Sequence, residues 1–178
     1  FVWFDLINFT KDEFADFYIE EYKLTKSESE FWNDVLSFVM LSLLKLWHPY
    51  IPFVTEEIYS ILRPAETLID NSWPKLKLKR NIEIEKDMWI IYEIIKTVRN
   101  IRAEKVINPW NLVDVIFRVT KIYNDLIKEN KKIICWLAKI WDLNLIDKDK
   151  DIDKWKYSYW VVEAIDIFVD VWSGLNIE

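Results

Sequence analysis

The sequence predicts a mainly α-helical protein: an antiparallel helical bundle followed by a small α/β appendage. Three observations predict this fold. Apolar residues recur at helical spacing through residues 1–108, prolines and polar clusters separate these stretches, and the period changes to alternation after Pro109. We therefore expect one domain over residues 1–108 and a second over residues 109–178.

The first two helices are predicted from amphipathic spacing and from a capping signal. Residues 3–24 place aromatic and aliphatic side chains at helical spacing, with carboxylates between them. Ser27 and Glu30 have the spacing of a capping box, in which each side chain binds a backbone N–H of the other residue. The second helix is predicted to begin there and to run to about Leu46, because Pro49 cannot continue it.

Two further helices complete the predicted bundle. Pro52 is well placed to begin a helix that runs to about Leu62. Glu56 and Glu57 are expected near its positive end, in an acidic first turn. After a polar connection, a fourth helix with one apolar face is predicted over about residues 84–105.

The pattern after residue 109 predicts a mixture of strands and helix. Apolar residues alternate from Val113 to Val119, which indicates a strand. Residues 122–140 return to helical spacing. Two more strand-like runs follow, near residues 143–146 and 157–171.

Composition limits the classes of function. The formal net charge of −6 excludes a large, uniformly positive surface but leaves room for a local basic face. Cys135 is the only cysteine, which excludes a disulfide framework. A glycine-rich phosphate loop is also excluded, and no apolar run reaches the roughly 18 residues that span a bilayer. The sequence offers no active site of its own, and we expect no membrane partner.

His48 is the only histidine, so a His-centred triad or His-based zinc site would need ligands from elsewhere. We expect His48 to be a turn residue with a structural hydrogen bond. Tyr50 and Tyr59 are candidates for stacking on unpaired bases, although packing inside the bundle is the favoured interpretation for both.

Tryptophan is abundant and glycine is nearly absent. The chain has 11 Trp and 1 Gly, whereas glycine ordinarily makes up about 7% of residues. Trp110, Trp141 and Trp172 occupy positions where turns favour glycine, which reaches positive φ without steric cost. One hypothesis is that many are UGA codons that the source organism reads as glycine. The alternative is a tryptophan-rich core.

Three segments carry a resemblance to a known family. They are Asp12–Glu20 (DEFADFYIE), His48–Glu57 (HPYIPFVTEE) with Ser72-Trp73-Pro74 after it, and Arg99–Glu104 (RNIRAE) ahead of Pro109. In this order they resemble the anticodon-binding region of class I aminoacyl-tRNA synthetases, and within them the valyl-tRNA synthetases. The first segment departs at Phe17, where the family has tryptophan. Trp73 fits the family motif and is expected to be a true tryptophan.

The resemblance implies a class Ia anticodon-binding domain that lacks its first helix and precedes a C-terminal coiled coil. The catalytic and editing signatures of the family do not occur in these 178 residues. An interior piece of a monomeric, cytoplasmic synthetase is therefore expected. It would bind valine tRNA beside the missing catalytic and editing domains, and it would hold no cofactor itself. In the parent enzyme, ATP and magnesium would act at the catalytic core.

Five residues are candidates for tRNA contact. Arg99 and Arg102 are three apart on the fourth helix and share a face, and Lys105 extends that face by one turn. Lys75 and Lys77 belong to a basic run in the connection before the helix. The alternative for the arginines is pairing with a carboxylate that orders the bundle. For the lysines it is a solvated loop.

Two other functions remain open at this point. A non-catalytic helical module that binds protein partners would show the same amphipathic helices. The equivalent region of an isoleucyl- or leucyl-tRNA synthetase would have the same fold but differs at the His-Pro pair and at the arginine block.

Overall fold

A computed structural model gives the fold. It describes residues 2–25, 31–75, 79–147, 152 and 154–172. The chain divides into two compact units, residues 1–79 and 80–178. This division precedes the fourth predicted helix, and the domain boundary expected after residue 108 stays a prediction. The capping box at Ser27 and Glu30 lies outside the described residues. None of the helices within those ranges has the length and apolar character needed to cross a membrane.

The first unit is helical throughout its regular structure. Its elements are α1 (Val2–Asn8), a π-helical segment (Phe9–Tyr18), α2 (Ile19–Thr25), α3 (Phe31–Trp47) and α4 (Pro52–Leu62). The helical run predicted over residues 3–24 is confirmed, but residues 9–18 in its middle form a π-helix, which is wider than the α-helix expected. The Ile19 N–H donates to the Phe14 carbonyl five residues back, which is the hydrogen bond of a π-helix.

Two small apolar clusters hold the first unit together. One joins α1, the π-helical segment and α3, and the other joins α3, α4 and the connection after α4. Their buried members are Leu6, Phe14 and Leu43 in the first cluster and Leu44, Tyr59 and Leu68 in the second. Trp47 strengthens the first cluster, since its Nε1–H donates to the Thr10 hydroxyl at 2.9 Å.

The second unit combines helices with a sheet. Its elements are α5 (Ile82–Glu104), β1 (Val113–Val119), α6 (Lys121–Glu129), α7 (Lys131–Ala138), β2 (Ile140–Asp147), a 3-10 turn (Lys154–Lys156), β3 (Tyr157–Val162) and β4 (Ile165–Asp170). The fourth predicted helix and the first predicted strand are confirmed. The Asn81 side chain caps α5 by accepting the N–H groups of Glu83 and Ile84.

Two stretches of this unit are each divided into two elements. The helical spacing of residues 122–140 is confirmed, and it forms two helices because the chain breaks at Asn130, whose backbone leaves helical geometry and whose amide group donates to the Leu126 carbonyl. The run over residues 157–171 is a hairpin of two strands, because Glu163 takes a φ of 52° and reverses the chain.

The sheet has the strand order β2-β1-β4-β3. Strands β1 and β2 are parallel and are joined by α6 and α7, whereas β4 runs antiparallel to both β1 and β3. Helix α5 packs against α7, β3 and β4. The core is made of side chains that are completely buried: Ile91, Ile94, Ile95 and Val98 from α5, Val113, Val115 and Phe117 from β1, and Ile165, Ile167 and Val169 from β4.

The tryptophans do not form a core. None of the eleven is buried, so the tryptophan-rich core considered from composition was wrong. The premise about their backbone was also wrong. Positive φ occurs within the described residues at Val106, Lys139 and Glu163, and Trp110, Trp141 and Trp172 all have negative φ.

Candidate nucleic-acid interface

The C-terminal end of α5 carries the predicted arginine ridge. Arg99 and Arg102 lie in its last two turns, and Lys105 is the C-cap residue. Positive side chains at this end of a helix interact favourably with its exposed carbonyl groups. The structure therefore brings these three candidates to one end of one helix, as the spacing predicted.

Arg102 is buried, and its guanidinium group binds backbone rather than carboxylate oxygens. Only 5% of the residue is exposed. Its two terminal nitrogens donate to the carbonyl oxygens of Ala138 (3.3 Å), Lys139 (2.7 Å), Asn108 (3.2 Å), Pro109 (3.3 Å) and Asn111 (2.8 Å). The side chain thus joins α5 to the end of α7 and to the turn before β1. This geometry favours the interpretation that Arg102 orders the fold, although through carbonyl groups and not through the carboxylate considered from sequence.

Arg99 lies beside Arg102 and is partly exposed. Its Nε–H donates to the Leu137 carbonyl at 2.9 Å. Burial lowers the pKa of Arg102, and the positive charge of Arg99 lowers it further. Two like charges are tolerated here because both face the C-terminal carbonyl groups of α7, the negative end of that helix.

A cationic depression lies where these elements meet. Its volume is about 310 Å³, and its lining residues are Arg99, Arg102, Ala103, Ile107, Pro109, Leu137, Ala138 and Lys139. The ionisable side chains in this lining are all basic. We call it the basic pocket. Its charge and size suit an anionic group such as a phosphate.

Sequence reasoning missed Lys139. It closes α7 in the left-handed conformation, with φ 55° and ψ 53°. Its ammonium group lies 4.8 Å from the centre of the Trp136 ring. The position became part of the pocket only through tertiary folding. The one local signal was a lysine directly after an apolar helix, where a left-handed cap is usual.

The remaining candidates lie elsewhere. Lys105 is exposed, one turn beyond Arg102. Lys75 is exposed in the first unit, and Lys77 lies outside the described residues. Arg80 follows Lys75 and Lys77 in the same connection, but it pairs with Glu85, and that hydrogen bond raises the pKa of Arg80. The geometry does not test any of these lysines as a contact with RNA, and their role as contacts stays a prediction.

The turn between α3 and α4 is a structural feature. His48 Nδ1 lies 2.8 Å from the hydroxyl oxygen of Thr55, which confirms the structural hydrogen bond expected for this histidine. The acidic first turn expected for α4 was wrong. The helix begins at Pro52, so Glu56 lies beyond that turn, and its carboxylate accepts the Leu68 N–H at 2.8 Å.

The two tyrosines of this region have different surroundings. Tyr59 is buried against Leu44 and Leu68, which confirms packing as its role. Its hydroxyl donates to the Glu66 carboxylate at 2.8 Å, and its pKa is raised, first by burial and then by this bond. Tyr50 is exposed, with its ring centre 4.9 Å from that of Trp3.

The second unit therefore has a basic pocket whose charge suits the binding of an anionic group. Within the described ranges, no cluster of three or more histidine, cysteine or acidic residues is placed to hold a metal ion.

The chain belongs to the family of anticodon-binding domains of tRNA ligases, whose family model matches residues 5–117. Its curated relatives are valine–tRNA ligases, which confirms the resemblance seen in the sequence. That of Staphylococcus carnosus (strain TM300) is 39% identical over 106 residues, or 56% of this chain and 12% of the relative.

Two other relatives match over more of the chain. The valine–tRNA ligase of Geobacter sulfurreducens is 32% identical over 148 residues, which cover 78% of this chain and 17% of the relative. That of Petrotoga mobilis is 29% identical over 183 aligned residues, with 97% of this chain and 20% of the relative covered. The chain thus spans a fifth or less of the length of these three relatives.

Proposed function

We propose that this chain is the part of a valine–tRNA ligase that binds the anticodon arm of valine tRNA. The observation that carries the proposal is the family match over residues 5–117, together with relatives that are valine–tRNA ligases. The whole enzyme would attach valine to its tRNA at the expense of ATP. Binding of the anticodon arm by this chain would help to place the acceptor end for that reaction.

The parent enzyme would supply what this chain lacks. Catalytic and editing domains of the same polypeptide would bind ATP with magnesium and carry out the chemistry. The helices of residues 1–108 would form an antiparallel bundle, and the sheet unit would complete the tRNA-binding region. We further propose that the parent is monomeric and acts in the cytoplasm.

The basic pocket is the part of the surface that best suits a tRNA phosphate. Arg99 and Lys139 are partly exposed at its wall, and Lys105 is exposed close by on the same helix end. Arg102 serves differently, because its donors are engaged by carbonyl groups. Its hydrogen bonds hold the elements that line the pocket together, and its buried guanidinium group adds positive charge to the pocket. Phosphate contacts of this kind fix the position of an RNA without reading its sequence.

The overall charge restricts where RNA can bind. With a formal net charge of −6, most of the surface repels a polyanion, and attraction must come from local basic regions. A few phosphate contacts give binding that weakens with salt, with a slope set by the number of phosphates neutralised. Recognition of valine tRNA would then depend on unpaired anticodon bases.

Fluorescence anisotropy with labelled transcripts tests the proposal. The purified chain is titrated with valine tRNA, with the same tRNA carrying an altered anticodon, and with an unrelated tRNA, each at several salt concentrations. We expect the unaltered valine tRNA to bind tightest, and all binding to weaken as salt rises. Equal affinity for the three transcripts would contradict the proposal and favour a protein-interaction module.

A further inference from the structure

Three non-glycine residues in the described ranges have a positive φ, and two of them border the basic pocket. Lys139 lines the pocket with φ 55°, Val106 follows the last turn of α5 with φ 56°, and Glu163 reverses the hairpin of β3 and β4 with φ 52°. Residues with a Cβ atom disfavour this backbone conformation, and it concentrates at binding sites and active sites. Two such residues at one pocket favour a role in binding for this end of α5.

Val106 ends α5 in a Schellman motif. Its N–H donates to the Ala103 carbonyl at 3.1 Å, and the Ile107 N–H donates to the Arg102 carbonyl at 2.9 Å. The left-handed position of this motif is usually glycine and sometimes asparagine. A β-branched side chain suits it poorly, because a residue with two γ-carbons is crowded by the adjacent backbone there. Valine therefore costs folding free energy that glycine would not.

Packing within the chain does not offset this cost. Val106 is 85% exposed, whereas the next residue, Ile107, is 5% exposed and forms part of the pocket's lining. An apolar side chain contributes to stability roughly in proportion to the surface that it buries. The side chain of Val106 buries little, so a contribution to folding does not account for valine at this position.

The position of Val106 beside the basic pocket supplies a reason for its side chain. Val106 is hydrogen-bonded to Ala103 and precedes Ile107, both of which line the pocket, and it directly follows the exposed Lys105. An RNA phosphate held in the pocket would bring its own ribose and base to the surrounding surface. These rings have apolar faces, and contact with an exposed aliphatic side chain removes apolar area of both partners from water.

We propose that Val106 is a contact residue of the RNA site, with its side chain packed against the ribose or base of the nucleotide whose phosphate enters the basic pocket. This inference rests on the proposed function and adds an apolar contact to a site otherwise defined by charge. The left-handed backbone holds the side chain exposed at the edge of the pocket, and its cost to folding is offset when RNA binds. Because valine carries no charge, the contact raises affinity without changing the salt slope of binding.

Four variants that keep the net charge test the proposal by thermal unfolding and by anisotropy titration with valine tRNA. Val106→Gly and Val106→Asn should raise the melting temperature, since glycine and asparagine accept positive φ more readily than valine. Each should weaken tRNA binding about three- to tenfold through the lost apolar contact. Val106→Ile keeps an aliphatic side chain and should bind like the parent chain. Ile122→Ala is the matched control, since Ile122 is 83% exposed in α6 and away from the pocket's lining, and it should also bind like the parent.

Higher stability together with lower affinity in the glycine and asparagine variants, at an unchanged salt slope, supports the contact. Parental affinity in both variants overturns it. A loss in Val106→Gly alone also overturns it, because chain flexibility and not the side chain would then set the affinity, and so does an equal loss in Ile122→Ala. A melting temperature that rises in neither variant overturns the argument from backbone strain. The proposed function fails by a separate result, which the parent chain alone gives: equal affinity for valine tRNA and for the transcript with an altered anticodon.

Discussion

The two units of this molecule are stabilised in different ways. Residues 80–172 bury a continuous set of aliphatic side chains between α5 and the sheet, many of them with no exposed surface. Residues 2–75 have two small clusters with three buried apolar residues each. A side-chain hydrogen bond between His48 and Thr55 supports the turn between α3 and α4 in the first unit, whereas the second unit combines its packed core with the hydrogen bonds of Arg102. The difference teaches that the geometry of the basic pocket depends both on a packed core and on the hydrogen bonds of Arg102.

The largest expected effect on stability tests how much each unit depends on buried aromatic rings. Phe117→Ala removes a ring with no exposed surface, and we expect it to lower the free energy of unfolding by about 3–5 kcal/mol. Phe14→Ala in the first unit should cost less, because partly exposed neighbours can close around the space. Chemical denaturation of both variants, followed by circular dichroism, measures the two costs. Equal losses would remove the contrast between the units.

The next effect concerns the pocket itself. Arg102→Ala removes the guanidinium donor that five backbone carbonyl groups share and should destabilise the second unit by about 3 kcal/mol. Arg102→Lys should recover little of this loss, since one ammonium group cannot reproduce the planar fork of donors. Hydrogen exchange resolved along the chain would show the loss over α5 and α7. Full recovery by lysine would mean that charge alone, and not this geometry, matters at residue 102.

A smaller effect on stability tests the hydrogen bond between His48 and Thr55 in the first unit. Thr55 is 1% exposed, and its hydroxyl meets His48 Nδ1 at 2.8 Å, so Thr55→Val should cost about 1–2 kcal/mol in thermal or chemical unfolding. The matched control is Ser60→Ala on the same helix, where an exposed hydroxyl donates to the Glu57 carbonyl. We expect that variant to stay within about 0.5 kcal/mol of the parent. A Thr55 variant as stable as this control would show that the turn does not depend on its polar contacts.

The smallest effect is on binding and leaves stability unchanged. Lys105→Ala should weaken tRNA binding at low salt and reduce the salt slope of the binding constant by about 1, because one phosphate contact is lost. Lys121→Ala removes an exposed lysine from the start of α6 and is the control with the same change in net charge. Anisotropy titrations of the two variants should differ. Identical curves would exclude Lys105 as a contact.

Local signals predicted much of this fold from the sequence. Pro52 marked the first residue of α4, and alternation marked β1 from Val113 to Val119. The break between α6 and α7 and the turn between β3 and β4 were harder to predict. Asn130 and Glu163 leave regular geometry there, and neither position has the proline or glycine that usually marks such a change. The π-helical segment was missed for a related reason, since its apolar spacing resembles that of an α-helix.

The site was predicted only in outline. The sequence placed Arg99, Arg102 and Lys105 on one helix end, and the structure agrees. It could not show that Arg102 binds carbonyl groups, because every residue has a carbonyl group and only tertiary folding selects which ones converge. For the same reason Lys139 carried no sign that it would line the same pocket as Arg99.

The carbonyl partners of Arg102 affect how mutational data on this chain should be interpreted. A survey that ranks basic residues by the affinity lost on replacement would place Arg102 first, even if no RNA atom ever touches it. Replacement would let three chain segments separate, and every true contact nearby would be displaced with them. Affinity losses at this end of the helix can be assigned to contact only after the folded fraction of each variant has been measured.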